Sequence, residues 1–196
     1  MKIHAIIAAA ALSSSVLAPT NASAQVRDSQ IVAPKVSHWE VRLPGGALVP
    51  TGVQRGAIKR GNLTAVQLAY AGRPNFAVMS TIGWARSRDV SAAGDPKLDV
   101  FTYDVGAEVR APRTVFSPFA GLGAGGRSYN YRKLDVDATH NLAAYGSVGG
   151  ELAMRRLRIR LEARDYVAGF KPLAGEGAGH TGNDVVVMAG FRLVSR

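Results

Sequence analysis

The sequence predicts an all-β protein, an eight-stranded antiparallel up-and-down transmembrane β-barrel. Three observations predict it. From residue 37 onward, apolar and polar residues alternate with period two in one segment after another. The links between those segments run long, short, long, short along the chain. The chain is 47% apolar yet has a mean hydropathy of only +0.04, so apolar residues are finely mixed with polar ones.

The first segment, "HWEVRLPGGALVP", sets Trp39, Val41 and Leu43 against Glu40 and Arg42, with a bulge or bend expected at Gly45 and Gly46. In the second, "NLTAVQLAYA", Thr64, Val66, Leu68 and Tyr70 form one face and Ala65, Gln67 and Ala69 the other. The third, "FAVMSTIGWARS", opposes Phe76, Val78, Ile82 and Trp84 to Thr81, Gly83, Ala85 and Ser87. The fourth, "LDVFTYDVGAEVR", opposes Phe101, Tyr103, Val105 and Val109 to Thr102, Asp104, Gly106, Glu108 and Arg110. A glycine-rich fifth ("VFSPFAGLGAGGRSY"), a sixth ("HNLAAYGSVGGELAM"), a seventh within residues 155–167 and an eighth ("NDVVVMAGFRLV") complete the set.

Short links at 72–75, 111–114 and 155–156 fall at one end of such a sheet. Long ones at roughly 50–61, 88–97, 129–139 and 169–182 fall at the other. An even strand count, strands of about ten residues and this loop asymmetry are the pattern of a membrane barrel.

The seventh segment, "RRLRIRLEARDYV", decides between helix and strand. At about 100° per residue, Leu157, Ile159 and Leu161 fall near 0°, 200° and 40° and share no helix face. At 180° per residue they align, as do Arg158, Arg160, Glu162 and Arg164. Charged residues also lie opposite apolar rows at Glu40, Arg42, Asp104, Glu108, Arg110, Arg127, Glu151 and Arg192. In a membrane barrel the apolar row faces lipid and the charged row faces the lumen. Eight strands leave a lumen that side chains fill, so paired arginine–carboxylate networks and no wide pore are expected. Trp39, Tyr70, Phe76 and Phe116 near the short-turn end, and Trp84, Phe101 and Tyr103 near the long-loop end, would form two interfacial girdles.

Residues 1–24 read as a secretory signal. Lys2 and His4 precede a short apolar run, and "ASA" at 22–24 offers small residues for cleavage before Gln25. A spanning anchor fits less well, because "SSS" interrupts the run and Pro19 ends it. Residues 25–36 read as a periplasmic lead-in and 37–196 as the barrel. The formal charge of +10 raises nucleic acid as a partner. An exported chain rarely meets nucleic acid, so no nucleic-acid partner is expected, and anionic lipid or an acidic envelope polymer is the better match. The sequence has no cysteine, so disulfides and thiolate metal sites are excluded.

The "ASA" leader end, "FSPFAGLGAGGRSYNYR", "RLRIRLEARDY" and "NDVVVMAGFRLV" together resemble the outer-membrane β-barrel domain family, the small porin-like eight-stranded barrels of Gram-negative bacteria. The resemblance covers residues 37–194. It implies an outer-membrane location with periplasmic termini, surrounding lipid and lipopolysaccharide, the barrel-insertion machinery as a partner, and a monomer with no cofactor. Such barrels usually end in an aromatic residue read during insertion. This chain ends "FRLVSR", so either insertion tolerates the difference or the signal lies at Phe191 and Leu193. The family spans structural barrels, channels and adhesins.

Other motifs are weaker. "GLGAGG" at 121–126 has the spacing of a dinucleotide loop but no helix after it, and its glycines fit room-making in a strand. His140, His180, Asp135, Asp137 and Asp184 could serve acid–base chemistry at the rim, but no serine completes a nucleophilic set, and no catalytic residue or metal site is assigned. The long loops carry Arg55, Lys59, Arg60, Arg86, Arg88, Lys97, Arg132, Lys133 and Lys171. At an outer surface these would meet lipopolysaccharide phosphates. A structural or surface-interaction role with a closed lumen is therefore expected. A narrow small-solute channel, a lipid-A-modifying enzyme and a soluble lipocalin-like barrel are the alternatives.

Overall fold

A computed structural model describes residues 37–111, 115–154, 157–170 and 180–193. The signal at 1–24 and the lead-in at 25–36 lie outside the described residues. The strands are β1 (His38–Arg42), β2 (Gly45–Thr51), β3 (Gly61–Arg73), β4 (Phe76–Arg88), β5 (Lys97–Arg110), β6 (Phe116–Tyr131), β7 (Thr139–Met154), β8 (Leu157–Phe170) and β9 (His180–Leu193).

Each strand from β3 to β9 pairs antiparallel with the next. Closure comes from the first stave. β1 pairs with β3 from His38↔Ala71 to Arg42↔Gln67, and β2 pairs with both β3 and β9. The sheet therefore closes as eight antiparallel staves, with β1 and β2 sharing one.

That first stave departs from the expected bend at Gly45–Gly46. The break falls at Leu43–Pro44, because proline has no N–H for the ladder. The Pro44 carbonyl still accepts from the Ala65 N–H at 2.9 Å, which holds the stave in line. Gly190 of β9 lies against Pro44, where a Cβ would come within 3.2 Å of its Cα. Gly46 lets β2 approach β9, since a Cβ there would run into the Val187 carbonyl.

The alternation sorts side chains as the period requires. Thr64, Val66, Leu68 and Tyr70 point outward, and Leu63, Ala65, Gln67 and Ala69 point inward. Ile82, Leu122 and Leu161 are exposed on the outer wall, and Leu142 is 90% exposed there. Arg127, Arg164 and Glu108 are 0% exposed inside. The molecule is apolar outside and charged within, the inverse of a water-soluble domain.

Inward glycines make room for large neighbours. Gly106 and Gly123 flank Tyr145, whose ring would collide with a Cβ at either position. Gly121 and Gly123 of the "GLGAGG" run thus lie within β6 and open no helix. We expect Gly106→Val to destabilise the barrel by about 1–3 kcal/mol through overpacking. Gly146 points to open space on the outer wall, so Gly146→Val should leave the urea midpoint in detergent unchanged.

Candidate functional site: the filled lumen and the basic rim

The lumen has two unlike halves. Near the short turns it is a charge lattice. Arg160 of β8 reaches Glu108 of β5, Glu151 of β7 at 3.2 Å and Glu162 of its own strand at 3.0 Å. Arg110 pairs with Glu108 and with Glu40, the latter at 3.4 Å, and Arg42 also pairs with Glu40. One layer further in, Arg164 bridges Glu162 at 2.6 Å and Asp104 at 3.1 Å, and bonds Thr81 at 3.1 Å. Four arginines and five acids on four different staves are thereby cross-linked through the interior. Several of these acids accept from more than one arginine, the condition under which buried charges are tolerated.

Aromatic rings hold the arginines from the other side. The Arg160 guanidinium lies 3.5 Å from the Phe119 ring centroid, Arg164 lies 4.5 Å from Tyr145, and Arg127 lies 4.4 Å from Tyr166. Tyr145 and Tyr166 pack at 5.1 Å, and the Tyr166 hydroxyl donates to Asp104 at 2.7 Å. These two tyrosines form a floor across the barrel above the charge lattice.

Beyond that floor the lumen becomes apolar. Leu48, Ile58, Leu63, Leu98, Val100, Tyr129, Phe170 and Val186 form one buried cluster. Arg127 pairs with Asp184 within this half. The loop between β2 and β3 folds into the mouth. Its 3-10 turn, Gly52–Gly56, carries Gln54, which is buried, and Ala57 and Ile58 follow it inward. With its amide assigned so that both ends find hydrogen-bond partners, Gln54 donates to Asp184, 3.0 Å from Oδ2. Ile58 bridges Asp89, whose carboxylate accepts from Tyr131 at 2.6 Å. This half departs from the expected charged lumen, because a loop read as wholly outer folds inward and brings apolar side chains with it.

Of the residues singled out for the lumen, Glu40, Arg42, Asp104, Glu108, Arg110, Glu151, Arg160, Glu162 and Arg164 share the lattice. Arg158 is half-buried at the turn end, 3.8 Å from Glu151. Arg127 stands apart with Asp184 in the other half. Arg192 pairs with Arg158 along the ladder, and its side chain lies outside the described residues. Asp184, Gln54, Asp89 and the two floor tyrosines were not singled out for the lumen. Asp184 alternates with Val186 and Met188 on the inward face of β9, a parity that could have placed it there.

The rim candidates divide as well. Lys59, Arg60, Arg86, Arg88, Lys97 and Arg132 surround one open basin of about 570 Å³ at the loop end. Arg55 and Lys133 are exposed elsewhere on the loops, and Lys171 lies outside the described residues. Within the basin, Arg132 makes two bonds of 2.6 Å to Asp99. Asp135, Asp137 and His140 are exposed without converging, and Asp184 is engaged by Arg127. The side chain of His180 lies outside the described residues. Among the described residues no cluster of histidine and carboxylate could hold a metal ion.

The closed wall of eight antiparallel staves has a counterpart among solved structures. Neisserial surface protein A aligns with a TM-score of 0.61 and 10% identity, over 80% of this chain and 97% of that one. The fold is that of the small outer-membrane barrels. Outer membrane protein AlkL, solved in lipid bilayers, aligns with a TM-score of 0.46 and 15% identity, over 81% of this chain and 90% of that one. No protein-family model matches the sequence, and no curated relative does. For this outer-membrane barrel fold, identities so low carry over the architecture and no activity.

The Arg127–Asp184 pair is separable from the lattice and tests its energetics. Arg127→Met or Asp184→Asn alone strands a buried partner and should cost about 3–5 kcal/mol. The double variant should lose less than the sum, by about 0.5–3 kcal/mol. Additive losses in urea unfolding would contradict the pairing.

Proposed function

We propose that this protein is an integral outer-membrane barrel, exported through its cleaved leader, that serves a structural or surface-interaction role without conducting solutes. The observation that carries this reading is the double seal of the lumen. The charge lattice crosses the turn half, and the apolar cluster with the inserted loop fills the loop half. A small ion entering would have to displace paired charges and then shed its water among leucine and valine side chains, and both steps are costly.

The outer wall supports a lipid setting. Its large exposed side chains are mostly apolar, with Trp39 and Tyr70 in contact at the turn end (5.0 Å) and Trp84 stacked on Phe101 at the loop end (6.3 Å). Closure leaves the stave backbones with partners inside the sheet, as a bilayer demands. Lipid and lipopolysaccharide are the surroundings this reading requires, with a monomer reaching them through the barrel-insertion machinery. The paired, lumen-facing position of Asp184 supports a role without catalysis.

Two measurements test the reading. Cell fractionation should recover a detergent-requiring, heat-modifiable band, and a freely soluble band would refute the membrane location. In planar bilayers the purified protein should give no resolvable current steps. Stable ohmic steps would instead establish the small-solute channel.

A further inference from the structure

We propose that the basin at the ends of β3, β4, β5 and β6 is a binding site for the phosphate groups of a phosphorylated glycolipid in the surrounding leaflet. The proposal rests on the membrane reading above and deepens it.

Charge is the first argument. Six cations line the basin against one carboxylate, Asp99, which leaves a formal excess of five. Among the described residues only Arg132 is ion-paired there. Arg88 and Lys97 stand directly opposite each other in the β4–β5 ladder. Like charges facing across a strand pair destabilise it. A bound anion relieves that repulsion, so the arrangement makes sense as half of a complex.

Placement is the second argument. Arg86 and Arg88 follow the outward parity of Trp84 in β4, and Lys97 follows that of Phe101 in β5. The cations therefore crown the outer wall and do not guard the lumen. Arg86 lies 4.1 Å from the Trp84 ring centroid and Arg132 lies 5.9 Å from it. Among the described residues, the shielded Trp84 indole N–H beneath them has no acceptor. Below this aromatic pair the wall continues through Ile82, Tyr103 and Val105, all exposed. A ligand with phosphates at the basin and acyl chains along that wall satisfies both surfaces, whereas a soluble polyanion satisfies only the upper one. Guanidinium groups suit phosphate because their planar donor pairs match two oxygens at once.

The backbone holds the site in shape. Lys59 N–H donates to the Arg88 carbonyl at 2.9 Å, and Ser87 donates to the Lys59 carbonyl. These bonds tie the loop cations to the end of β4. The same loop carries Ile58 and Gln54 into the lumen, so the segment that seals the mouth also completes the basin.

The test uses the full-length chain expressed with its own leader and purified folded in detergent, with bound lipid counted by native mass spectrometry. Heat-modifiable migration is checked first, so a failure to enter the membrane is seen before any lipid is measured. Diphosphoryl lipid A should be retained roughly tenfold better than its dephosphorylated counterpart. The triple variant Arg86→Ser/Arg88→Ser/Lys97→Ser should lose that preference. Arg55→Ser/Lys133→Ser, which removes loop charge outside the basin, should keep it. Millimolar inorganic phosphate should not displace the lipid. Equal retention of the two lipids, equal loss in both variants, or displacement by free phosphate would each overturn the proposal. The comparison of the two lipids on the unmodified protein stands even if the triple variant does not fold.

Discussion

Closing the β-sheet on itself is the constraint on which the rest of this structure depends. Strands in hydrocarbon find no water for their N–H and C=O groups, so each stave must be paired on both sides. Closing with eight staves fixes an interior only as wide as the side chains that fill it. Every inward residue must then fit a shared, nearly dry space. The inward glycines of β5 and β6 follow from this, because Tyr145 has nowhere else to go. So does the position of Pro44, which interrupts the ladder beside Gly190 while its carbonyl keeps the first stave attached to β3.

Within that space, charge is held by sharing. Glu108 serves Arg110 and Arg160, and Glu162 serves Arg160 and Arg164. Rings at Phe119, Tyr145 and Tyr166 shield the opposite faces of the guanidiniums. The lattice links staves that are distant in sequence, such as β5 with β8, across the lumen. It acts as an internal brace in a protein whose outer wall gains no hydrophobic stabilisation from burial against itself. Above the tyrosine floor the brace gives way to apolar packing and one inserted loop. The barrel thus presents a plugged mouth and a strongly basic crown to whatever surrounds its loop end.

The wall of this barrel was legible because its signal is periodic. In "RLRIRLEARDY" every second residue must face the same way, so Arg160, Glu162 and Arg164 could be assigned to one face before any partner was known. The loop asymmetry similarly ordered the staves. Partner choice was not legible, because which acid meets Arg160 depends on how the staves are staggered around the closure, and no local pattern encodes that. The inward fold of Gln54, Ala57 and Ile58 was hidden for a related reason. A nine-residue connection carrying Arg55, Lys59 and Arg60 has the composition of an outer loop, and its three apolar residues carry no period. The basin was half visible. Its cations were picked out as loop charge, but only the β3–β4–β5 register separates Arg86, Arg88 and Lys97 from Arg55 and Lys133.

The central claim is that the apolar face of the staves meets lipid while the charged face is enclosed. The absence of native cysteine allows it to be tested directly by single spin labels at Leu122→Cys, Val148→Cys, Leu161→Cys and Val187→Cys on four different staves. Collision with membrane-dissolved oxygen and with a water-soluble nickel chelate is then compared for the protein in vesicles. All four labels should relax strongly with oxygen and weakly with nickel. Labels that respond to nickel and not to oxygen would place the apolar face away from lipid and contradict the account.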